Sequence, residues 1–357
     1  MSILPDAETF RRLVNGTTTG PGPAALRAAL SMLAAPYGLA TVLRNTLYDR
    51  GLLRRHAASI PVISIGNLTL GGTGKTPLVA WVARQLAAAG RQPVVVSRGY
   101  AARPGEPSDE AAELGILLPG VPHLADRDRV RGVNAAAGRG ARVAVLDDGF
   151  QHRRLRRDLD LVAIDASDPF GCGHIFPRGL LRESVAGLAR ADAAVLTRAT
   201  SVAADRRAEI RAAVTRARGG RLPLWLETEH RPVALRSWQG SVEPLAAIQG
   251  GRVAAFCGIG NPEAFRTTLA SCDLEVAGFR SFADHHAYTA SDCDAVGRWA
   301  AGLAAERIIT TLKDLVKIRR EAVGGVPLVA LEVAIEPLDD PGPLEAALAR
   351  AAAGAPP

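Results

Sequence analysis

A glycine-rich stretch early in the chain carries the residues best suited to hold a phosphate group. Residues 66–77 read GNLTLGGTGKTP, directly after the β-branched apolar run at 60–65. Glycines let backbone N–H groups turn toward phosphate oxygens, a lysine adds positive charge, and a threonine hydroxyl can ligate Mg²⁺. We therefore predict a nucleotide-binding loop. Its predicted contacts are Thr69, Leu70, Gly71, Gly72, Thr73, Gly74, Lys75 and Thr76.

The loop departs from the strict phosphate-loop pattern, which has glycine where Thr69 stands. A glycine-rich turn that binds no ligand is the alternative. The context favours the phosphate loop, because a strand precedes it and a helix from Pro77 to Ala89 follows, with Gly90 as the stop signal. The positive end of that helix would face the bound anion.

Two aspartates follow a second apolar run, at residues 142–146. In phosphate-loop proteins a carboxylate at the end of a strand beside the loop positions Mg²⁺. An apolar run that ends in aspartate is common by itself, but the upstream loop gives this one more weight. We predict that Asp147 and Asp148 serve a magnesium site together with Thr76.

A parallel sheet is required to position these residues. A strand, the loop, a helix and the next strand make a βαβ unit, which places helices on both faces of the sheet. We predict a phosphate-loop NTPase-like α/β domain at 1–222, a short β linker at 223–250 and a smaller α/β domain at 251–357. The predicted strands are residues 60–65, 93–97, 142–146, 159–164, 193–197 and 222–226, and then 253–257, 274–279 and 307–311.

Length and charge restrict the class of protein. A chain of 357 residues is too long for one compact core. The net charge of +7 favours an anionic partner, which could be a nucleotide, a phospholipid surface or a nucleic acid. The four cysteines have no metal-ligand spacing, so we expect reduced thiols. The first residues lack the pattern of a secretory signal.

The segment from Pro23 to Leu53 is predicted to be helical, with leucines surrounded by arginines. No charge-free stretch in it reaches the ~18 residues that a membrane span needs, and Pro36 and Gly38 are expected to interrupt the longest one. An apolar face flanked by arginines suits a membrane surface. Packing against the protein's own core is the alternative, and the segment alone slightly favours that packing.

Together these motifs resemble the tetraacyldisaccharide 4′-kinases of lipid A biosynthesis. Departures from the family pattern include a shortened segment before Asp109 and Cys172 where asparagine is common. The resemblance covers about residues 37–318. The motifs that carry it stand at 66–77, 97–100, 109–110, 147–152, 177–183, 284–286 and 311–314.

The resemblance implies transfer of the ATP γ-phosphate, with Mg²⁺, to the 4′-hydroxyl of a tetraacyldisaccharide 1-phosphate. It makes Asp109 the base and His285 its orienting partner, with Lys75 also catalytic. Asp109 and His285 lie in different predicted domains, so we expect a cleft between the domains to bring them together. Implied nucleotide contacts are Gln151, His152 and Lys313, substrate contacts are Arg98, Tyr100 and Arg182, and Glu110 joins the metal ligands.

The resemblance also implies a monomer at the cytoplasmic face of the inner membrane, with an acylated disaccharide phospholipid as substrate, no transmembrane span and no nucleic acid partner. Two other classes stay open from the residues alone. One is a nucleotide switch that delivers cargo, although Leu70 stands where that class has an extra lysine. The other is a nucleotide-binding membrane module without catalysis.

Overall fold

The computed structural model describes residues 7–99 and 108–354. The helices are α1 Ala7–Val14, α2 Pro21–Asp49, α3 Lys75–Ala88, α4 Asp109–Leu117, α5 Arg129–Gly138, α6 Ala204–Ala217, α7 Pro262–Ala270, α8 Ala290–Gly302, α9 Leu312–Ile318 and α10 Gly342–Ala353. The strands are β1 Val62–Gly66, β2 Pro93–Ser97, β3 His123–Ala125, β4 Val143–Asp147, β5 Leu159–Asp165, β6 Ala193–Thr197, β7 Leu224–Arg236, β8 Val242–Glu243, β9 Arg252–Cys257, β10 Glu275–Ser281, β11 Arg307–Thr311, β12 Ala322–Val323 and β13 Val326–Pro337.

The described chain divides into two compact units that do not follow the sequence order. The first unit contains residues 7–99, 118–229 and 336–354. The second contains residues 108–117 and 230–335. Two segments therefore belong to a different unit from the one that the predicted boundaries give them. Residues 108–117 form α4 in the second unit, and α10 packs against α3, β1 and β5 of the first.

The first unit is built on a parallel sheet in the order β3-β2-β4-β1-β5-β6-β7. Every residue of β1, β2, β4, β5 and β6 is buried. Strands that are buried along their whole length are typical of parallel sheets covered by helices on both faces. Because parallel strands place their carboxyl ends at one edge, the ends of β1, β4, β5 and β6 lie along that edge.

The buried strand residues of the first unit belong to more than one cluster of its core. Val62 of β1 and Leu146 of β4 pack with Val133 of α5. On β5 and β6, Val162 and Leu196 belong to a second cluster that includes α6. Helices α3 and α10 contact β1 as well. The strand that carries the glycine-rich loop is therefore fixed along its whole length.

Helix α2 is 29 residues long and continuous through Pro36 and Gly38. The expected interruption is wrong. Proline removes one backbone donor without ending this helix, and Gly38 is one of its buried residues. By length and composition α2 could cross a membrane, contrary to the sequence-based expectation, although such a helix is weak evidence by itself. Most of α2 is exposed, including Met32 and Leu39.

The second unit has a parallel sheet in the order β10-β9-β11-β13, with β12 antiparallel to β13. Residues 235–236 of β7 form a hairpin with β8. The core includes Phe256 and Ile309 on the strands and Leu269 on α7. Two α/β units with a loop of the phosphate-binding type confirm the predicted fold class.

Candidate active site

The glycine-rich loop joins β1 to α3 at the carboxyl edge of the first unit's sheet. Residues 67–74 form the loop, and Lys75 begins α3. Gly71 and Gly74 have φ values of 105° and 77°, which residues with a Cβ rarely adopt. The first N–H groups of α3 have no acceptor within the helix, so they are available to an anion. The predicted contacts at 69–76 thus run without a break from the loop into the first two residues of α3.

Two side chains hold Lys75 beside the loop. Its Nζ lies 3.0 Å from Asn67 Oδ1 and 3.0 Å from Asp148 Oδ1. Arg182 Nη1 donates to both oxygens of Asp148, at 2.9 and 2.7 Å. Burial disfavours the charged carboxylate, but the charges of Lys75 and Arg182 outweigh this and hold the pKa of Asp148 far below its usual value. Asp148 is therefore ionised and links the two cations.

Close backbone packing brings the turn after β4 to the loop. A Cβ on Gly149 would lie 2.5 Å from Ser64 Oγ, and a Cβ on Gly66 would lie 2.5 Å from Phe150 Cβ. Only glycine fits at either position. Asp148 itself has a φ of 54°, a left-handed conformation that aspartate tolerates better than most residues. The two glycines allow the ends of β1 and β4 to lie close enough for Asp148 to reach Lys75.

Residues 180–182 pair with the first half of the loop. Two backbone hydrogen bonds of 2.7 Å join them to residues 68–70, and Thr69 lies opposite Leu181 in an antiparallel bridge. A β-branched residue suits this extended pairing, which explains the threonine at a position where the strict pattern has glycine. The same pairing delivers Arg182 to Asp148.

A buried carboxylate, Glu183, organises the polar groups behind the loop. It is 1% exposed and accepts hydrogen bonds from Asn45 at 2.7 Å, Arg190 at 2.8 Å and Gln151 at 3.1 Å. Gln151 also donates to the backbone oxygen of Asn67 at 2.8 Å. Glu183 is thus fully engaged by donors, and it fixes Gln151 against the start of the loop.

Three of the four oxygen donors predicted to hold Mg²⁺ lie at this edge of the sheet. Asp147 ends β4 opposite Ile65 of β1, Asp148 follows it, and Thr76 is the second residue of α3. Residues 7–99 and 108–354 contain no group of three His, Cys, Asp or Glu side chains that could hold a metal alone. Mg²⁺ in nucleotide sites takes one or two protein carboxylates and completes its shell with phosphate and water, so this donor set fits it.

His152 is a neutral side chain in the same turn. Burial, followed by the charges of Arg129 and Arg157, lowers the pKa of His152 to about 4. Its Nε2 is buried and has no hydrogen-bond partner within the described part of the chain. A neutral imidazole can donate or accept, so His152 retains one unused hydrogen-bonding group beside the aspartates.

Asp109 and His285 lie together within the second unit. His285 Nδ1 is 3.8 Å from Asp109 Oδ2, beyond hydrogen-bond length but within ion-pair distance. The expectation that a cleft between domains joins them is wrong, because Asp109 begins α4, and α4 packs against α9 in the second unit. The positive end of α4 favours a carboxylate at this position.

The surroundings of the pair set its protonation. Lys313 Nζ lies 3.3 Å from His285 Nε2 and 3.1 Å from Asp284 Oδ1. An ammonium can only donate, so in the neutral imidazole Nε2 accepts from Lys313 and the ring proton lies on Nδ1, toward Asp109. The neighbouring His285 makes the largest contribution to lowering the pKa of Asp109, and the charges of Lys317 and Lys313 add to it against the opposing effect of burial. Asp109 is thus an ionised proton acceptor.

The other predicted residues are placed as follows. Arg98 is exposed, just past the end of β2. Glu110 is the second residue of α4, in the second unit, whereas the other three metal candidates belong to the first. Tyr100 lies outside the described residues.

Sequence reasoning did not single out Asn67, Glu183 or Asp314. Asp314 is 0% exposed, and its carboxylate pairs with Lys317 at 2.9 Å and accepts from Thr311 at 2.7 Å. All three stand inside motifs that carried the resemblance. Each of the three is a polar residue within its motif. The sequence of a motif does not show which side chain or backbone group such a residue will contact.

Comparisons with known proteins agree along nearly the whole chain. The model of the family described as tetraacyldisaccharide-1-P 4′-kinase matches residues 26–353. The tetraacyldisaccharide 4′-kinase of Anaeromyxobacter dehalogenans (strain 2CP-C) is 43% identical over 353 residues, 92% of each chain. That of Geobacter sulfurreducens is 37% identical over 357 residues, 95% of this chain and 97% of its own.

A solved structure gives the same result. The crystal structure of LpxK from Aquifex aeolicus in complex with ATP matches with a TM-score of 0.71 and 28% identity, over 91% of this chain and 99% of that one. The resemblance read from the motifs is confirmed, and the chain belongs to the tetraacyldisaccharide-1-phosphate 4′-kinase family.

Proposed function

We propose that this protein transfers the γ-phosphate of ATP to the 4′-hydroxyl of a tetraacyldisaccharide 1-phosphate, which yields the 1,4′-bisphosphate lipid. The observation that carries the proposal is the family match over residues 26–353, which includes both the phosphate loop and the Asp109–His285 pair. The ATP bound to the Aquifex aeolicus relative supports ATP as the donor.

Asp109 is the residue that activates the acceptor hydroxyl of the sugar. A sugar hydroxyl is a weak nucleophile, so a carboxylate must take its proton as the oxygen attacks the γ-phosphorus and the bond to ADP breaks. The lowered pKa of Asp109 keeps it ionised for this role. His285 presents Nδ1–H to the carboxylate and fixes its orientation.

The phosphate loop binds the phosphates of the donor, ATP. Its N–H groups and Lys75 hold the β- and γ-phosphates and stabilise the charge that develops during transfer, while Asp148 keeps Lys75 in position. Gln151, His152 and Lys313 serve the nucleotide, and Arg98, Tyr100 and Arg182 serve the lipid phosphate and sugar. Mg²⁺, when held by Thr76, Asp147 and Asp148 with Glu110 as a further candidate, neutralises phosphate charge.

Helix α2 is proposed to lie on the membrane surface rather than to cross it. Tyr37 Oη donates to the backbone of Arg182 at 3.1 Å, and Asn45 donates to Glu183 at 2.7 Å. These contacts tie the second half of α2 to the first unit. Its exposed leucines can then enter the interface of the cytoplasmic leaflet, where the lipid substrate resides. We propose a monomer as the working unit.

Lys75→Ala tests the function directly. Purified protein is incubated with Mg-ATP and the acylated disaccharide 1-phosphate, and both 4′-phosphorylated lipid and ADP are measured. We expect the wild type to form both in equal amounts and Lys75→Ala to be at least ~100-fold slower, as when one transition-state contact is removed. Circular dichroism checks that the variant is folded. ADP without lipid product would support a nucleotide switch instead.

The proposed metal role has a separate test. Asp147→Asn keeps the shape of the side chain but removes its charge, so we expect half-maximal activity to need several-fold more Mg²⁺. Asp158→Asn is a suitable control, because Asp158 precedes β5 and accepts from the backbone N–H of Val62 at 2.8 Å, at the opposite end of β1. Identical Mg²⁺ titrations for Asp147→Asn and the wild type would remove Asp147 from the metal site.

A further inference from the structure

Two residues at and just after the end of β6 contact the backbone of the phosphate loop. Thr197 Oγ1 donates to the backbone oxygen of Thr73 at 2.9 Å. Arg198 Nη1 donates to the backbone oxygen of Gly72 at 3.2 Å and also pairs with Asp165. Asp165 and Thr197 are register partners at the ends of β5 and β6, so the end of β6 holds two successive carbonyl groups of the loop while the end of β5 holds Arg198.

These side chains are themselves fixed. Thr197 is 0% exposed, and Asp165 is 5% exposed and accepts from the backbone N–H of Ser167 at 3.0 Å. Arg198 adopts φ 53° and ψ 39°, the left-handed region that is unfavourable for a residue with a Cβ. Such a conformation persists where surrounding contacts enforce it, and it often marks a functional position.

The consequence for the loop follows from peptide geometry. In a trans peptide the C=O of one residue and the N–H of the next point in opposite directions. Fixing the oxygens of Gly72 and Thr73 on Arg198 and Thr197 therefore turns the N–H groups of Thr73 and Gly74 to the other side of the loop. Those N–H groups are the ones that a phosphate loop offers to its ligand.

We propose that Thr197 and Arg198, with Asp165 behind Arg198, are positioning residues that preset the phosphate loop for ATP. The ordering of the loop is then complete before ATP arrives, so less of the binding free energy is lost to it. This inference rests on the proposed function only in taking ATP as the ligand of the loop.

The test is equilibrium binding of Mg-ATP to the full chain, followed by competition with a fluorescent ATP analogue and without lipid substrate. We expect Arg198→Ala and Thr197→Val each to weaken binding about tenfold, because an unordered loop must be fixed on binding. Thr197→Val is informative because the buried hydroxyl cannot touch the nucleotide. Arg207→Ala is the matched control, since Arg207 pairs with Glu227 at 3.1 Å in the same unit.

The outcomes separate the possibilities. Tenfold losses in both variants, with Arg207→Ala unchanged, support the proposal. Unchanged ATP affinity in folded Arg198→Ala overturns it, and so does a loss in Arg198→Ala alone, which would mean direct contact with the nucleotide. If Arg198→Ala does not fold, Arg198→Met keeps the side-chain volume and is judged by the same criterion. A wild type that binds ATP but does not phosphorylate lipid would refute the proposed function and leave this inference standing.

Discussion

The Asp109–His285 pair combines an ionised acceptor with a histidine whose proton is directed toward it. Lys313 occupies the Nε2 side of the ring at 3.3 Å, which leaves Nδ1 to face the carboxylate 3.8 Å away. The distance is longer than a hydrogen bond, as is common for catalytic contacts before substrate binds. At the scale of residues, His285 contributes to the reaction by orienting the carboxylate of Asp109.

Residues that act as a unit should give losses that do not add. We expect Asp109→Asn and His285→Ala each to lower kcat by ~100-fold or more, with little change in the KM for ATP, and the double variant to be little worse than the poorer single one. Steady-state kinetics of the three variants measure this.

The neighbouring histidine offers a control for that experiment. His286 pairs with Asp292 at 3.2 Å and not with Asp109, so His286→Gln should lower kcat far less than His285→Ala does. Fully multiplicative losses in the double variant would instead mean that Asp109 and His285 act independently. An active Asp109→Asn enzyme would transfer the role of base to another carboxylate.

At the scale of elements, α2 joins an exposed apolar surface to the polar network around Glu183. Met32, Leu33 and Leu39 are 72%, 61% and 70% exposed. Leaving large apolar side chains in water is unfavourable, and a lipid interface would cover them. Arginines at 27, 44 and 50 accompany this surface.

We expect the protein to bind vesicles that contain anionic lipid, and the binding to weaken as NaCl rises from about 0.05 to about 0.5 M, because salt screens arginine–headgroup attraction worth ~1 kcal/mol per residue. Vesicle sedimentation measures it. Leu33→Glu with Leu39→Glu should reduce binding strongly. Leu222→Glu is the matched control, since Leu222 is 43% exposed elsewhere in the first unit. Binding that neither salt nor these variants change would leave α2 without a membrane role.

The sequence predicted correctly those elements that a short, local residue pattern specifies. Asp147 and Asp148 could be placed because an apolar strand must end at the sheet edge that carries the loop. Helix α2 was only partly predicted, because Pro36 removes a single hydrogen bond and a long helix can continue past it. Proline is a strong local signal of helix ends, and here the remaining hydrogen bonds of α2 outweigh it.

At the scale of the whole molecule, the position of a segment in the sequence did not indicate the unit to which it belongs. Residues 108–117 follow β2 of the first unit in sequence but pack in the second, and α10 follows the second unit but packs in the first. An apolar helical face signals that it will be buried, without specifying the sheet that covers it. The resemblance paired Asp109 with His285, but the placement of both residues in one unit was unpredictable for this reason.

Two partly buried histidines of the first unit should make its stability sensitive to acid. Burial, followed by the charge of Arg129, lowers the pKa of His123 from 6.5 to about 4. Between these pH values the unfolded chain binds more protons than the folded one, so the free energy of unfolding falls as pH falls from 6.5 toward 4. His152 has the same shift and acts in the same direction.

His123→Gln tests this dependence. At pH 5.5 the protonation of an unfolded His123 costs about 1 kcal/mol of stability, and the variant should escape that cost. Thermal unfolding at pH 7.5 and 5.5, followed by circular dichroism, should give a smaller loss of Tm for His123→Gln than for the wild type. Equal losses in the two proteins would show that His123 is not a source of the acid sensitivity.

The packing of α10 determines when the nucleotide site can form during synthesis. Leu344 and Leu348 are buried in the first unit, and Glu345 accepts from Gln85 of α3 at 3.2 Å. The ribosome completes the phosphate loop early but translates α10 only after residues 230–335 of the second unit. At ~5–20 residues per second, translating the roughly 250 residues between α3 and α10 takes about 13 to 50 seconds, during which α3 and β1 lack their covering helix. The nascent chain can therefore complete its second unit first and acquires a fully supported ATP site only after α10 has been translated.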